Sequence, residues 1–312
     1  VYFNAHAHLE LSFLRGAIPS GIGFVEWLQR LVALKRAADP EAVRGGIRQA
    51  LREMADAHTA ALLDIDAMGA VPPMLDEAPF PVLSFTEMIA FHPAQASDTV
   101  RRALDRQAAH PLASRHAWGL SPHAPYTTTA PLLLSAHAEA ARRREWLCIH
   151  AAETPEETAM MEKGSGPLRD FLSDVGALPP DWKPPRLRPI PYLATQGVLG
   201  PNTLLIHCNN IDERDLAILS QTKCHVVVCP GTHVYFGRGA FPLERLLAAG
   251  IPTHLGTDSL ASNESLDMAR EVELACELTP KVDSHRIAQL AEMTEEVMAL
   301  FFPPIRTLER GA

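Results

Sequence analysis

The segment Val1-Tyr2-Phe3-Asn4-Ala5-His6-Ala7-His8-Leu9-Glu10-Leu11-Ser12 sets two histidines two residues apart at the end of an apolar stretch. Read as a strand from Val1 to His8, it sends side chains two apart to one face, so His6 and His8 project together from its C-terminal end. Two convergent imidazoles are half of a divalent metal site. Taken alone, the pattern fits a plainer reading better, two polar residues closing a strand. The rest of the chain reverses that preference.

Eight short runs of apolar and β-branched residues recur, each followed by loop signals and then a helical pattern. They are Val1 to Asn4, Ala61 to Ile65, Val82 to Phe85, Ala117 to Leu120, Trp146 to Ile149, Thr203 to Ile206, His225 to Cys229 and Thr253 to Gly256. Between them, Asp39-Pro40, the capping box Thr154-Pro155-Glu156-Glu157, Asp212 and Thr294 mark helix starts. Strands alternating with helices give a parallel sheet, and eight of them close most economically into an α/β barrel of the distorted (β/α)8 TIM type. Two insertions interrupt the beat. Residues 13–38 carry a helical stretch around Phe24, Trp27, Leu28, Leu31 and Leu34 that is expected to form a lid over the barrel mouth. Leu178 to Pro191 holds six prolines and Trp182, and reads as an irregular loop rather than a helix.

At 312 residues with 47% hydrophobic content, one barrel domain over 1–312 has ample core material. A formal charge of -9 with no basic run argues against nucleic acid. The five cysteines lack CxxC spacing and suit free thiols in a reducing compartment. With no signal-peptide pattern and no apolar run long enough for a bilayer, the expectation is a cytoplasmic protein off the membrane, acting on a small molecule, with a homo-oligomer left open. The chain opens on Val1 rather than Met, so upstream residues are expected to be missing.

In a parallel barrel all strand ends converge on one face, so a real site shows polar residues at several of them. Here strand one delivers His6 and His8, strand four Ser121-Pro122-His123-Ala124-Pro125-Tyr126, and strand five His150-Ala151-Ala152-Glu153. Strand six delivers His207, strand seven Cys229-Pro230-Gly231-Thr232-His233, and strand eight Asp258. Packing does not explain six of eight ends behaving this way.

In these motifs the chain resembles the amidohydrolase superfamily, in its mononuclear deaminase and chlorohydrolase branch, the branch of cytosine, S-adenosylhomocysteine and aminodeoxyfutalosine deaminases. The matching stretches, Asn4–Ser12, Gly119–Tyr126, His150–Glu157, Leu205–Asn209, Cys229–Gly237 and Leu255–Asn263, run in order along essentially the whole sequence. The resemblance implies that His6, His8, His150 and Asp258 hold one metal ion, while Glu153 and His207 surround the reacting group. It also implies that His123 helps hold substrate. His233, Trp27 and Glu87 are further substrate-binding candidates, with Arg15, Phe236 and Arg238 behind them.

Three neutral imidazoles and a carboxylate suit zinc first and iron as the alternative, and such an ion lowers the pKa of a bound water to about 7. Asp258 then serves as general base, Glu153 carries a proton to a ring nitrogen, and His207 orients the water or stabilises the tetrahedral intermediate. Two-metal members of the superfamily commonly use a carboxylated lysine after strand four. Lys35, Lys163, Lys183, Lys223 and Lys281 are the lysines here, and none lies there, which favours one ion. His225 and His254 lie within strands and read as structural, as do His58, His137 and His285.

The sequence departs from the branch in two ways. Gly231 stands where relatives often carry Arg after Cys-Pro, and Arg36 stands near an acidic lid residue that meets ribose in nucleoside-handling relatives, which argues against adenosine-like substrates. The branch's flanking β-sandwich is expected to be absent or trimmed. The expected activity is hydrolytic deamination of an aminated heterocycle by a metal-activated water. Dechlorination of a chlorinated heterocycle is the alternative, and a non-catalytic metal-binding scaffold the remoter one.

Overall fold

The apolar runs pair in the order in which the chain makes them. The computed structural model describes residues 1–302, so residues 303–312 of the expected domain lie outside the described residues. The strands are β1 (Tyr2–Ala7), β2 (Thr59–Asp66), β3 (Val82–Met88), β4 (Ala117–Pro122), β5 (Leu147–Ala151), β6 (Thr203–His207), β7 (His225–Val228) and β8 (Thr253–Leu255). They form one parallel sheet in the order β1 to β8. A parallel bridge between Ala7 and Asp258 brings the last edge back to the first, and the His6 carbonyl accepts from Thr257 N and Asp258 N, each at 3.0 Å. This is the (β/α)8 barrel expected from the sequence.

Register breaks once where it matters. The β1–β2 ladder shifts between Asn4 and Ala7, around His6. Asn4 supplies the hydrogen bonds that the shifted ladder lacks: its Oδ1 accepts from His6 N and Thr257 N, both at 3.2 Å, and its Nδ2 donates to Thr257 Oγ1 at 2.8 Å. A buried backbone donor left unpaired is costly, so this amide fixes the local path of β1 against the chain just after β8. Inside the barrel, Phe3, Ala61, Leu63, Phe85, Ile206 and Val227 form one buried cluster. Its lower end is closed by Trp146 and by Phe301 of the helix Glu295–Phe301, with ring centroids 4.6 Å apart.

The helix Pro40–Asp56 starts where Asp39 accepts from Ala42 N, and buries Val43, Ile47, Ala50, Leu51 and Met54, a helical stripe that faces the 3₁₀ segment Leu9–Leu14 after β1. Within the first insertion, the helix Phe24–Arg36 buries Phe24, Trp27 and Leu31 on one face. Trp27 Nε1 donates to the Ala261 carbonyl at 2.7 Å, tying that helix to the loop after β8.

Two local expectations need correction. The Pro-rich stretch is irregular only to Arg188, because Pro189, Ile190 and Pro191 open the helix Pro189–Thr195; proline in a first turn costs no hydrogen bond. At the start of helix Pro155–Lys163, Thr154 caps Glu157 N as expected, but the Glu157 carboxylate returns to Glu153 N at 2.8 Å rather than to the Thr154 amide. Glu157 thereby fixes the backbone of Glu153 itself.

Candidate metal centre and reaction cavity

The polar side chains at the upper strand ends meet around a cavity of about 90 Å³. His8, His123, His150, Glu153, His207, Asp258, Glu87 and Trp27 all line it. The backbone there is bent to fit: Ala152, His207, Cys208 and Asp258 adopt left-handed φ values of 51, 77, 48 and 58°. Non-glycine residues pay strain for that conformation, and such strain gathers where side chains must be aimed.

The imidazoles are aimed by their second nitrogens. His8 Nδ1 lies 3.1 Å from the Ile65 carbonyl, and His150 Nδ1 lies 3.1 Å from the His123 carbonyl. A carbonyl only accepts, so each Nδ1 carries the proton and each Nε2 presents a lone pair. Those two Nε2 atoms stand 3.3 Å apart. His6 Nε2 is buried without a hydrogen-bond partner, 3.6 Å from Asp258 Oδ1. Lone pairs converging beside a carboxylate repel one another unless a cation joins them, and three imidazoles with one carboxylate are a fitting donor set for a divalent ion. His6, His8 and His150 have donor atoms within 4.8 Å of one another, as do His6, His207 and Asp258. Burial pushes the His8 imidazole down to about 3 and His207 to about 4, and holds His150 well below its ordinary value. These rings are therefore neutral at pH 7, the form that binds metal.

Asp258 is clamped on both oxygens. Oδ2 accepts from Thr232 Oγ1 at 3.1 Å and Ser262 Oγ at 3.2 Å, while Oδ1 accepts from Ser259 N at 2.7 Å. His207 Nε2 lies 4.0 Å from Asp258 Oδ2 and 3.8 Å from Glu153 Oε1, between the two acids. Glu153 is also paired with Arg238. His123 Nδ1 lies 2.7 Å from Thr127 Oγ1, and its Nε2 lies 3.9 Å from Glu87 Oε1. Glu87, His123 and His150 form a third group of close donor atoms. Burial pushes Glu87 up to about 7, against the opposing charge of Lys35.

His233 stands apart from this gathering. It lies 2.8 Å, through Nε2, from the Gly239 carbonyl, packs edge-on to Phe241 at 4.9 Å, and is not among the cavity-lining residues. Arg15 pairs outside with Glu53. The sequence reading had not singled out Lys35 and Glu10, which line the cavity as an ion pair at 2.8 Å. Glu10, two residues beyond His8 and inside the first motif, was the available signal. The glycine at 231 is also explained: a Cβ there would lie 2.3 Å from Asn263 Nδ2 and 2.5 Å from Glu271 Oε1. Glu271 receives Gly231 N at 2.8 Å and Asn263 Nδ2 at 2.7 Å, a buried tie that leaves no room for a side chain.

The amidohydrolase family model matches residues 2–294. The aminodeoxyfutalosine deaminase of Deinococcus radiodurans is 36% identical over 182 residues, 55% of this chain and 43% of that protein. The 5-methylthioadenosine/S-adenosylhomocysteine deaminase of Nitratidesulfovibrio vulgaris is 30% identical over 287 residues, 89% of this chain and 59% of that protein. The chain thus spans about half the length of these curated relatives. Among solved structures, Helicobacter pylori aminofutalosine deaminase in complex with methylthio-coformycin superposes with a TM-score of 0.83 at 19% identity, covering 96% of this chain and 73% of that one. Zinc-complexed atrazine chlorohydrolase from Arthrobacter aurescens gives 0.76 at 15% identity, covering 97% and 71%. These two likenesses establish the fold.

Proposed function

The chain belongs to the amidohydrolase family, and we propose that it catalyses hydrolytic deamination of a small aminated heterocycle, with one zinc ion held by His6, His8, His150 and Asp258. The observation that carries the reading is the pair of Nε2 lone pairs 3.3 Å apart on His8 and His150, beside an unpartnered His6 Nε2 and Asp258. Iron is the alternative ion for the same donor set. When bound, such an ion supplies Lewis acidity that brings a water's pKa to about 7.

The chain's own residues do the rest. Asp258, its carboxylate held by Thr232, Ser262 and Ser259, takes the proton from the attacking water. Glu153, protonated at the outset, hands its proton to the ring nitrogen as the water adds; Asp258 passes on the proton it took to the amino group, which leaves as ammonia, and the remaining hydroxyl proton returns to Glu153 as the new carbonyl forms. His207, between both acids, stabilises the negative charge that develops on the attacked carbon's oxygen. Glu87 and His123 hold the heterocycle's polar edge, Trp27 and Phe236 cover its face, and the helix Phe24–Arg36 acts as the lid. The two curated relatives are named as deaminases of aminodeoxyfutalosine and of 5-methylthioadenosine/S-adenosylhomocysteine, so such compounds enter the substrate panel despite Arg36.

The test is a panel of amino- and chloro-heterocycles, including 5′-methylthioadenosine and S-adenosylhomocysteine, assayed for ammonia and chloride with metal content measured in parallel. Ammonia release that follows the metal content is expected. Chloride release with no ammonia from any amino compound would transfer the site to dechlorination.

A further inference from the structure

Arg238 is placed with more care than a surface arginine needs. The helix Pro230–Tyr235 ends at Gly237, whose φ of 58° favours glycine, and Gly237 N and Arg238 N return to the Val234 and His233 carbonyls at 2.9 and 3.1 Å. That turn folds Arg238 back toward the loop after β5. Its guanidinium lies 4.6 Å from the Phe236 ring centre, and Nη2 donates to Glu153 Oε1 at 2.5 Å. Phe236 in turn meets Trp27 edge-on at 5.4 Å and Phe24 at 5.9 Å, both on the helix Phe24–Arg36. Among the described residues, Glu153 is the one carboxylate in ion-pair range of Arg238, whose Nη1 is buried without a partner. The nearer Glu153 oxygen to both Arg238 and His207 is Oε1, and Oε2 has no hydrogen-bond partner among the described residues.

We propose that Arg238 is a positioning residue for proton transfer: it grips Oε1 of Glu153, leaving Oε2 as the oxygen that exchanges the proton with substrate. This rests on the deaminase reading of Glu153. One carboxylate oxygen is committed to a charge-assisted bond, and the remaining one faces the reacting ring in a fixed orientation, which is worth rate rather than affinity. The guanidinium is seated on Phe236, and Phe236 on Phe24 and Trp27 of the helix Phe24–Arg36, so that helix backs the position of the grip.

A double-mutant cycle with Arg238→Gln and Glu153→Gln, assayed on 5′-methylthioadenosine and the wider amino-heterocycle panel, tests this. Arg238→Gln is expected to lower kcat by about 10- to 100-fold with KM changed less than about threefold, and to add nothing further in the Glu153→Gln background. Arg238→Lys, which keeps charge without the planar fork, should recover part of the loss, and it carries the same cycle if the glutamine variant does not fold. Losses that multiply, or a change confined to KM, would overturn the proposal. If Glu153→Gln alone turned over normally, the proton-carrier reading would fail instead. Crystal structures of the wild type and Arg238→Gln read the placement without turnover. The Glu153 carboxylate should leave its position in the variant, and one that keeps its place without Arg238 contradicts the grip.

Discussion

The barrel buries histidines at both ends. At the lower end, His225 Nδ1 and His254 Nε2 lie 3.0 Å apart in rings that stack within 7° of parallel, enclosed by Phe3, Trp146 and Phe301. Burial pushes them down to about 4 and about 3, the same depression seen for His207 and His8 at the upper end. Clustering and a depressed pKa therefore do not separate a site from a filler. Two other features do. The lower rings satisfy each other, whereas upper lone pairs face one another without a proton between them, and the upper end alone sets Asp258, Glu153 and Glu87 beside its imidazoles.

The contrast breaks most sharply at Asp258. Asp258→Asn should lower turnover by about 10²- to 10⁴-fold and reduce retained metal, as removal of a general base that is also a ligand requires. Glu153→Gln should keep the metal and still lose about 10²-fold or more in kcat, since the amide preserves shape but exchanges no proton. A variant of either residue that turned over normally would equate the upper cluster with the lower one.

Smaller effects sharpen it. His123→Ala should leave metal content unchanged and weaken substrate binding by about 1 to 3 kcal/mol, the loss of one hydrogen bond to a polar or charged group; titration of a slow substrate analogue reads this directly. His254→Phe should cost about 1 to 2 kcal/mol of stability by unpairing His225, with metal content and kcat untouched. Denaturant unfolding alongside the activity assay separates the two.

Acid supplies a comparison of both ends at once. His8, His123, His207, His225 and His254 have folded pKa values of about 3 or 4, below the ordinary 6.5. At these five histidines the unfolded chain binds more protons below about pH 6.5, so their contribution to the stability of the metal-free protein is complete above that pH and is lost as pH falls toward 4, while the buried acids Asp64, Glu87, Glu157 and Glu271, raised to about 7 or 8, contribute with the opposite sign over the same range. Zinc should suppress the share of this slope owed to the upper end and leave the share owed to the lower pair. Removing one ring isolates its share: wild type should lose stability relative to His254→Phe as pH falls from 7 to 4, and two profiles that run parallel would show that burial does not hold the lower ring neutral.

The sequence reading found every strand and cut most of them short at the same end. The apolar runs stop at Phe85 in the third strand, Leu120 in the fourth and Ile149 in the fifth, whereas pairing runs on to Met88, Pro122 and Ala151. The extra residues include Glu87, Ser121 and His150. An apolar run ends where side chains turn polar, but in a barrel those polar residues line the upper cavity while their backbones stay in the ladder. The error is thus itself a map of the site. His6, His8, His150, His207 and Asp258 were legible because each stands at or just beyond the end of a strand. The pairing of Arg238 with Glu153 was not, because it depends on where the Gly237 turn sends the chain across 85 residues of sequence separation. Nor was the withdrawal of His233 to Gly239, a choice made by a short helix and a loop rather than by a strand end.

Metal analysis combined with a crystal structure of protein loaded with excess zinc tests the upper-end site most directly, because three overlapping donor groups compete there, including Glu87, His123 and His150. The expected result is one tightly held ion per chain, within about 2.0 to 2.1 Å of one nitrogen each of His6, His8 and His150 and bonded to Asp258, with His123 free. Two tightly held ions, or a single ion bonded to His123 and Glu87 in place of His6 and Asp258, would contradict it.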